Sequence, residues 1–151
     1  MSERVEPVDL GVTWDPNAPF ARLLADDFGR AVLALNPHES HPDERCVVLV
    51  WSGTSSVSMA GPNDEAISGH RLYRAGLSNV LWAGEVYGST LIRSLEMQNR
   101  VHPNHNPANW TGLRHHVVRT KECVVEVVAR TVAVHRFGGS TLDAAVAALR
   151  D

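Results

Sequence analysis

The chain of 151 residues is short of several things. It has two cysteines, Cys46 and Cys123, far apart and each inside an apolar run, with no Cys-x-x-Cys pair. That excludes a disulfide framework and the usual thiol zinc or redox signatures, and it predicts two buried free thiols. No apolar run nears the roughly 18 residues that a bilayer-spanning helix needs. The first residues, MSERVEPVDLG, contain no apolar stretch of the secretory type, so a cytoplasmic chain is expected. Lysine is nearly absent. Lys121 is the only one among fourteen basic residues, and the formal charge is −3, which speaks against a surface built to neutralise nucleic-acid phosphates. No Gly-x-Ser-x-Gly elbow, Walker loop, Gly-x-Gly-x-x-Gly fingerprint or His-Glu-x-x-His motif occurs. The common serine-hydrolase, nucleotide and zinc-peptidase signatures are therefore missing, and no nucleotide cofactor is expected.

Histidine is what the chain has in excess, with eight residues. It titrates near neutrality and ligates metals more often than any other side chain. Hydrophobic residues at 44% and charged residues at 21% match a folded globular chain, and with no repeat or shift of composition residues 1–151 read as one domain.

Asn17 and Pro19 look like a helix start. Phe20, Leu23, Leu24, Phe28, Ala31 and Leu35 then recur at the spacing of an amphipathic helix ending at Asn36-Pro37. Cys46 to Trp51 reads as a strand, with a second after a turn near Gly53. Gly61-Pro62-Asn63-Asp64 marks a reversal, followed by a short helical turn from Asp64 to Ser68 and a loop to Gly76. Val80 to Tyr87 returns to strand character. Ser89 is placed to cap a helix carrying Leu91, Ile92 and Leu95 on its core side. A β-hairpin is expected over about 113–136, and Ser140 caps a last helix with Leu142, Val146 and Leu149 facing inward. The sum is an α+β fold, an antiparallel sheet with helices on one face; a small closed β-barrel with helices is the alternative.

Glu126 interrupts CVVEVVA, an apolar run of the kind found in strands covered on both sides, so its carboxylate needs a partner. If the hairpin turn is Lys121-Glu122, Val117 faces Glu126 and His115 lies diagonally from it on the same face. A three-residue turn brings His116 opposite instead. Either register makes a His/carboxylate pair. It serves as a base with its orienting partner, or as a structural contact. Glu85 is a second carboxylate among strand residues, with alternation turning it toward solvent or a pocket. Asp64, His70, Arg71 and Arg74 form a polar loop able to hold a substrate, the arginines suiting an anionic group. His102 and His105 are spaced to share a divalent transition metal, given a third ligand from His70, Glu85, His115, His116 or Glu126, or they are solvated loop residues.

These residues lead to one expectation with two alternatives. The first is a small enzyme or ligand-handling protein using His/carboxylate acid–base chemistry on a small molecule, through Glu126, His115, His116 and Glu85. The second is a non-catalytic module that forms a homo-oligomer through its valine-rich hairpin or an edge strand. The third is a His-ligated metal-binding protein. No membrane or nucleic-acid partner is expected.

Overall fold

The computed structural model describes residues 2–151. Its strands are β1 (Arg4–Pro7), β2 (Arg22–Ala25), β3 (Arg30–Leu35), β4 (Cys46–Ser52), β5 (Ser56–Ala60), β6 (Ala83–Tyr87), β7 (Arg114–Arg119), β8 (Val124–Ala129) and β9 (Thr131–Phe137), and its helices are α1 (Thr90–Asn99) and α2 (Thr141–Arg150). All pairings are antiparallel. They build a five-stranded sheet in the order β1-β6-β7-β8-β5 and a four-stranded sheet in the order β2-β3-β4-β9. The fold is α+β as expected, and the sheets stay separate rather than closing into a barrel.

The sheets pack face to face over Leu33, Leu35, Leu49, Trp51, Val118, Val125 and Val127, with Trp14 enclosed among them. Each buried large aliphatic side chain contributes roughly 1.5–3 kcal/mol. β3 and β4 are buried on both sides, because Val32, Ala34, Val48 and Val50 on their outer face receive α2. That helix presents Ala144, Ala145 and Ala148, whose small side chains allow a close approach. Leu142, expected inside, is 44% exposed. The alanines lie on the face the larger residues were expected to fill, and Leu149 packs only at its margin.

Residues 20–35 form a hairpin instead of the expected helix. Asp26 Oδ1 accepts hydrogen bonds from the Phe28 and Arg30 N–H groups, and Gly29 adopts φ +84°, which together close a tight turn between β2 and β3. Phe20 and Phe28 fit the helical spacing, yet they are 68% and 91% exposed. The stronger signal was the unbroken AVLAL of 31–35, which suits a strand covered on both faces.

The β7–β8 hairpin adopts the two-residue turn, with Val117 opposite Glu126. The valine-rich run after it is two strands, not one. The chain leaves the first sheet at Arg130 and joins the second as β9 beside β4. Arg130 N–H donates to the Ser52 carbonyl at 3.0 Å, at the corner where the β4–β5 link makes the reverse crossing. β8 is buried throughout, whereas β9 alternates half-buried Val132 and Val134 with exposed Ala133 and His135, the pattern of an edge.

The outer face of the first sheet, with Val5, Val86, Val117 and Val124, is covered by Leu72, Leu77 and Val80 from the β5–β6 connection. This cover is sewn to β1 by the Val5 N–H on the Ala75 carbonyl at 2.9 Å. Gly76 makes the approach feasible: its φ is +133°, and a Cβ there would meet the Val5 carbonyl oxygen at 2.2 Å. Gly76→Ala is therefore expected to cost at least about 2 kcal/mol through strain and displaced backbone. Urea unfolding followed by tryptophan fluorescence measures it, and an unchanged midpoint would show that the segment docks differently.

Candidate functional site

Successive residues of a strand point to opposite faces, so His115 and His116 part company on β7. His115 joins Glu126 on the outer face of the first sheet. His116 turns inward between the sheets, where its Nδ1 accepts from Trp51 Nε1–H at 3.1 Å and its Nε2 lies 3.8 Å from Glu85 Oε1. Glu85 thus faces the space between the sheets with its side chain 13% exposed, not open solvent, and Arg114 is its other neighbour at 3.7 Å. The four residues expected to act together form two pairs separated by the sheet.

The outer pair is the more elaborate. His115 Nε2 is 2.8 Å from Glu126 Oε1. Arg71, from the covering segment, grips the same carboxylate with both terminal nitrogens at 2.6 and 2.7 Å. His70 Nε2 stands 3.6 Å from Oε2, its Nδ1 accepting from the Leu72 N–H at 3.0 Å. Burial opposes a charge on Glu126, but the bonds from His115 and Arg71 outweigh it and hold the carboxyl at about 2. The carboxylate is therefore ionised at neutral pH and too weak a base to take a proton from substrate; its role is to orient and to pair. Burial pushes His70 down despite the nearby Glu126 charge, whereas the Glu126 bond raises Arg71.

Sequence reasoning saw Ser89 only as a helix cap. In the fold its Oγ accepts from the Ile92 N–H at 3.1 Å, and it also lies 2.8 Å from His115 Nδ1. Ionised Glu126 has no proton to give, so His115 donates to it from Nε2, and Nδ1 is the nitrogen that faces the serine hydroxyl. Ser89, His115 and Glu126 form one hydrogen-bonded chain, fully withdrawn from bulk water at the imidazole. The sequence carried a signal in Gly88-Ser89, a strand-to-helix turn beside a histidine strand, but no spacing could show which strand neighboured it.

A cleft of about 570 Å³ opens at the Glu126 end of this chain, lined by Ser56, Ser58, Arg71, Thr90, Leu91, Ser94 and Glu126. The remaining expected residues lie elsewhere. Asp64 pairs with Lys121 at 3.1 Å and lines a separate recess with Trp14 and Arg119, and Arg74 is exposed outside the cluster. His102 is exposed with its Nδ1 on the Asn104 N–H, while His105 bonds Asn99 at 2.7 Å and Glu96 at 3.2 Å. Among the described residues no group of three or more His, Cys, Asp or Glu side chains is placed to hold a metal ion. Of the expected third ligands, Glu85, His115, His116 and Glu126 sit on the first sheet and His70 on the segment covering it, each with other partners. Cys46 is buried, Cys123 is half-buried and both are free. No described helix is long and apolar enough to cross a membrane. The chain matches no protein-family model, no curated protein and no solved structure, and the geometry of this cleft carries the functional reading.

The inner histidine predicts a pH response. Burial, helped by Arg114 and His115, pushes His116 down to about 4, below its unfolded value of about 6.5. A histidine lowered on folding supports the fold fully above the unfolded value. The support is lost as pH falls from about 6.5 toward 4, because the unfolded chain takes the proton first. About 2 kcal/mol is expected to go by about pH 5. Urea titrations of wild type and His116→Gln across this range test it; parallel pH profiles would remove His116 from the account.

Proposed function

We propose that the chain is a small enzyme or ligand-handling protein that takes an uncharged, polar small molecule in the cleft over β5 and β8, with the His115–Glu126 pair supplying proton handling beside it. The observation that carries this reading is the lining. Hydroxyl groups of Ser56, Ser58, Thr90 and Ser94 surround the edge of the Arg71–Glu126 pair, and Leu91 adds an apolar wall. Such a cleft offers hydroxyl donors and acceptors beside apolar surface, of a size suited to a small ligand.

Charge favours a neutral ligand over an anionic one. Arg71 is already balanced by Glu126, and the Glu3 carboxylate, which accepts from the Thr90 N–H at 3.0 Å, adds a second negative charge felt by Arg71. Arg71 here steadies Glu126 and offers its outer edge to the ligand. Ligand-observed NMR with neutral amide, ester and polyol fragments, against small carboxylates and phosphates, tests the idea. Neutral fragments are expected to bind and to weaken at least tenfold in Ser58→Phe, which fills the cleft from an exposed strand position. Equal binding to that variant, or binding by anions alone, would overturn it.

Self-association is a second reading, favoured by β5. It is an outer strand of its sheet, and its sequence SVSMA has neither charge nor proline to block pairing with another copy. Sedimentation velocity is expected to show a dimer that Met59→Lys dissociates; a concentration-independent monomer would end this reading.

A further inference from the structure

We propose that Ser89 is a nucleophile for acyl transfer, activated by His115 and positioned through Glu126, and that the substrate class is a small uncharged carboxylic ester. This deepens the cleft reading above and rests on it. The chain runs Ser89 Oγ to His115 Nδ1 at 2.8 Å and His115 Nε2 to Glu126 Oε1 at 2.8 Å. These are the contacts of a serine, base and acid relay, with the two imidazole nitrogens exchanged relative to the serine-peptidase arrangement. Glu126 is in turn fixed by Arg71 through two bonds, so Nε2–H is held on the carboxylate, and in the neutral imidazole the lone pair on Nδ1 faces the hydroxyl.

The location suits the chemistry. Ser89 ends the turn after β6 and begins α1, and the next two residues, Thr90 and Leu91, form a wall of the cleft whose floor includes Glu126. Of the first helical N–H groups, that of Thr90 is taken by Glu3 and that of Ile92 by Ser89 itself. The Leu91 N–H lies between them in the first turn of α1, and it is the group assigned to receive the developing oxyanion. Ser89 is only 6% exposed, so the substrate carbonyl must enter past Leu91.

The reaction balances without another cofactor. The Ser89 Oγ–H proton passes to His115 Nδ1 as Oγ bonds to the ester carbonyl carbon. When the tetrahedral species collapses, the carbon–oxygen bond to the alcohol breaks and Nδ1–H protonates the departing alkoxide. Water then adds to the acyl carbon, giving a proton to Nδ1, and as the carbon–Oγ bond breaks Nδ1–H returns that proton to Oγ, releasing the acid and restoring Ser89. Glu126 acts as a positioning residue throughout.

An alkyl fluorophosphonate probes the step directly, because Oγ displaces fluoride to leave a stable phosphonyl adduct that intact-mass and peptide mass spectrometry locate. One adduct is expected, on Ser89, and none on Ser89→Gly, a substitution that keeps a favourable helix cap. His115→Gln should slow labelling about 100-fold, in line with loss of a general base, with circular dichroism checking that both variants fold. An unlabelled wild type, or an adduct on Ser56, Ser58 or Ser94 instead, would overturn the assignment. Persistence of neutral-fragment binding in that event would leave the cleft reading intact and locate the failure in the relay.

Discussion

A carboxylate sits in the middle of an otherwise apolar strand, and the first sheet is organised around satisfying it. Removing a carboxylate from water costs several kcal/mol even after the protein relaxes, so Glu126 is tolerable only with its partners in place. Arg71 comes from the segment covering the sheet and His115 from the neighbouring strand, and Ser89 at the start of α1 bonds His115 in turn. One buried charge thereby ties three separate pieces of chain to the same spot on the sheet. The cleft lies where these pieces meet.

The second sheet shows the contrasting solution. Its outer face is covered by the alanine side of α2, an apolar contact with Arg30 at its edge donating to the Ala148 and Leu149 carbonyls that end the helix. It tolerates volume-conserving changes more readily than a charge network tolerates loss of a partner. The asymmetry explains why the polar chemistry collects on one outer face only. β7 expresses the same division within a single strand, since His115 enters the outer network while His116 is kept neutral between the sheets by burial and the Trp51 bond.

Much of the local structure was legible in the residues. Ser89 and Ser140 cap their helices, the second with a full capping box through Asp143. The Gly61–Asp64 reversal leads into a short 3-10 turn over Asp64–Gly69, and the β7–β8 register follows the two-residue turn that put His115 diagonal to Glu126. Residues 20–35 suit two structures, because Leu23, Leu24, Ala31 and Leu35 satisfy both a helical period and a hairpin with a buried second strand. Only the two-sided cover of β3 separates the two. The break at Arg130 was equally hidden, since valines continue on both sides of it.

The sequence by itself determined that Glu126 needed a partner, that a histidine would be adjacent, and that the strands would run antiparallel. Those conclusions rest on hydrophobic pattern and hairpin geometry, which act over a few residues. Tertiary structure alone decided which partners arrived. Arg71 and Ser89 lie 55 and 26 residues from the groups they bond, and no local rule sets which distant segments share one sheet face. The same packing sent His102, His105 and Arg74 elsewhere, because polar loop residues follow wherever the core-forming strands place their ends.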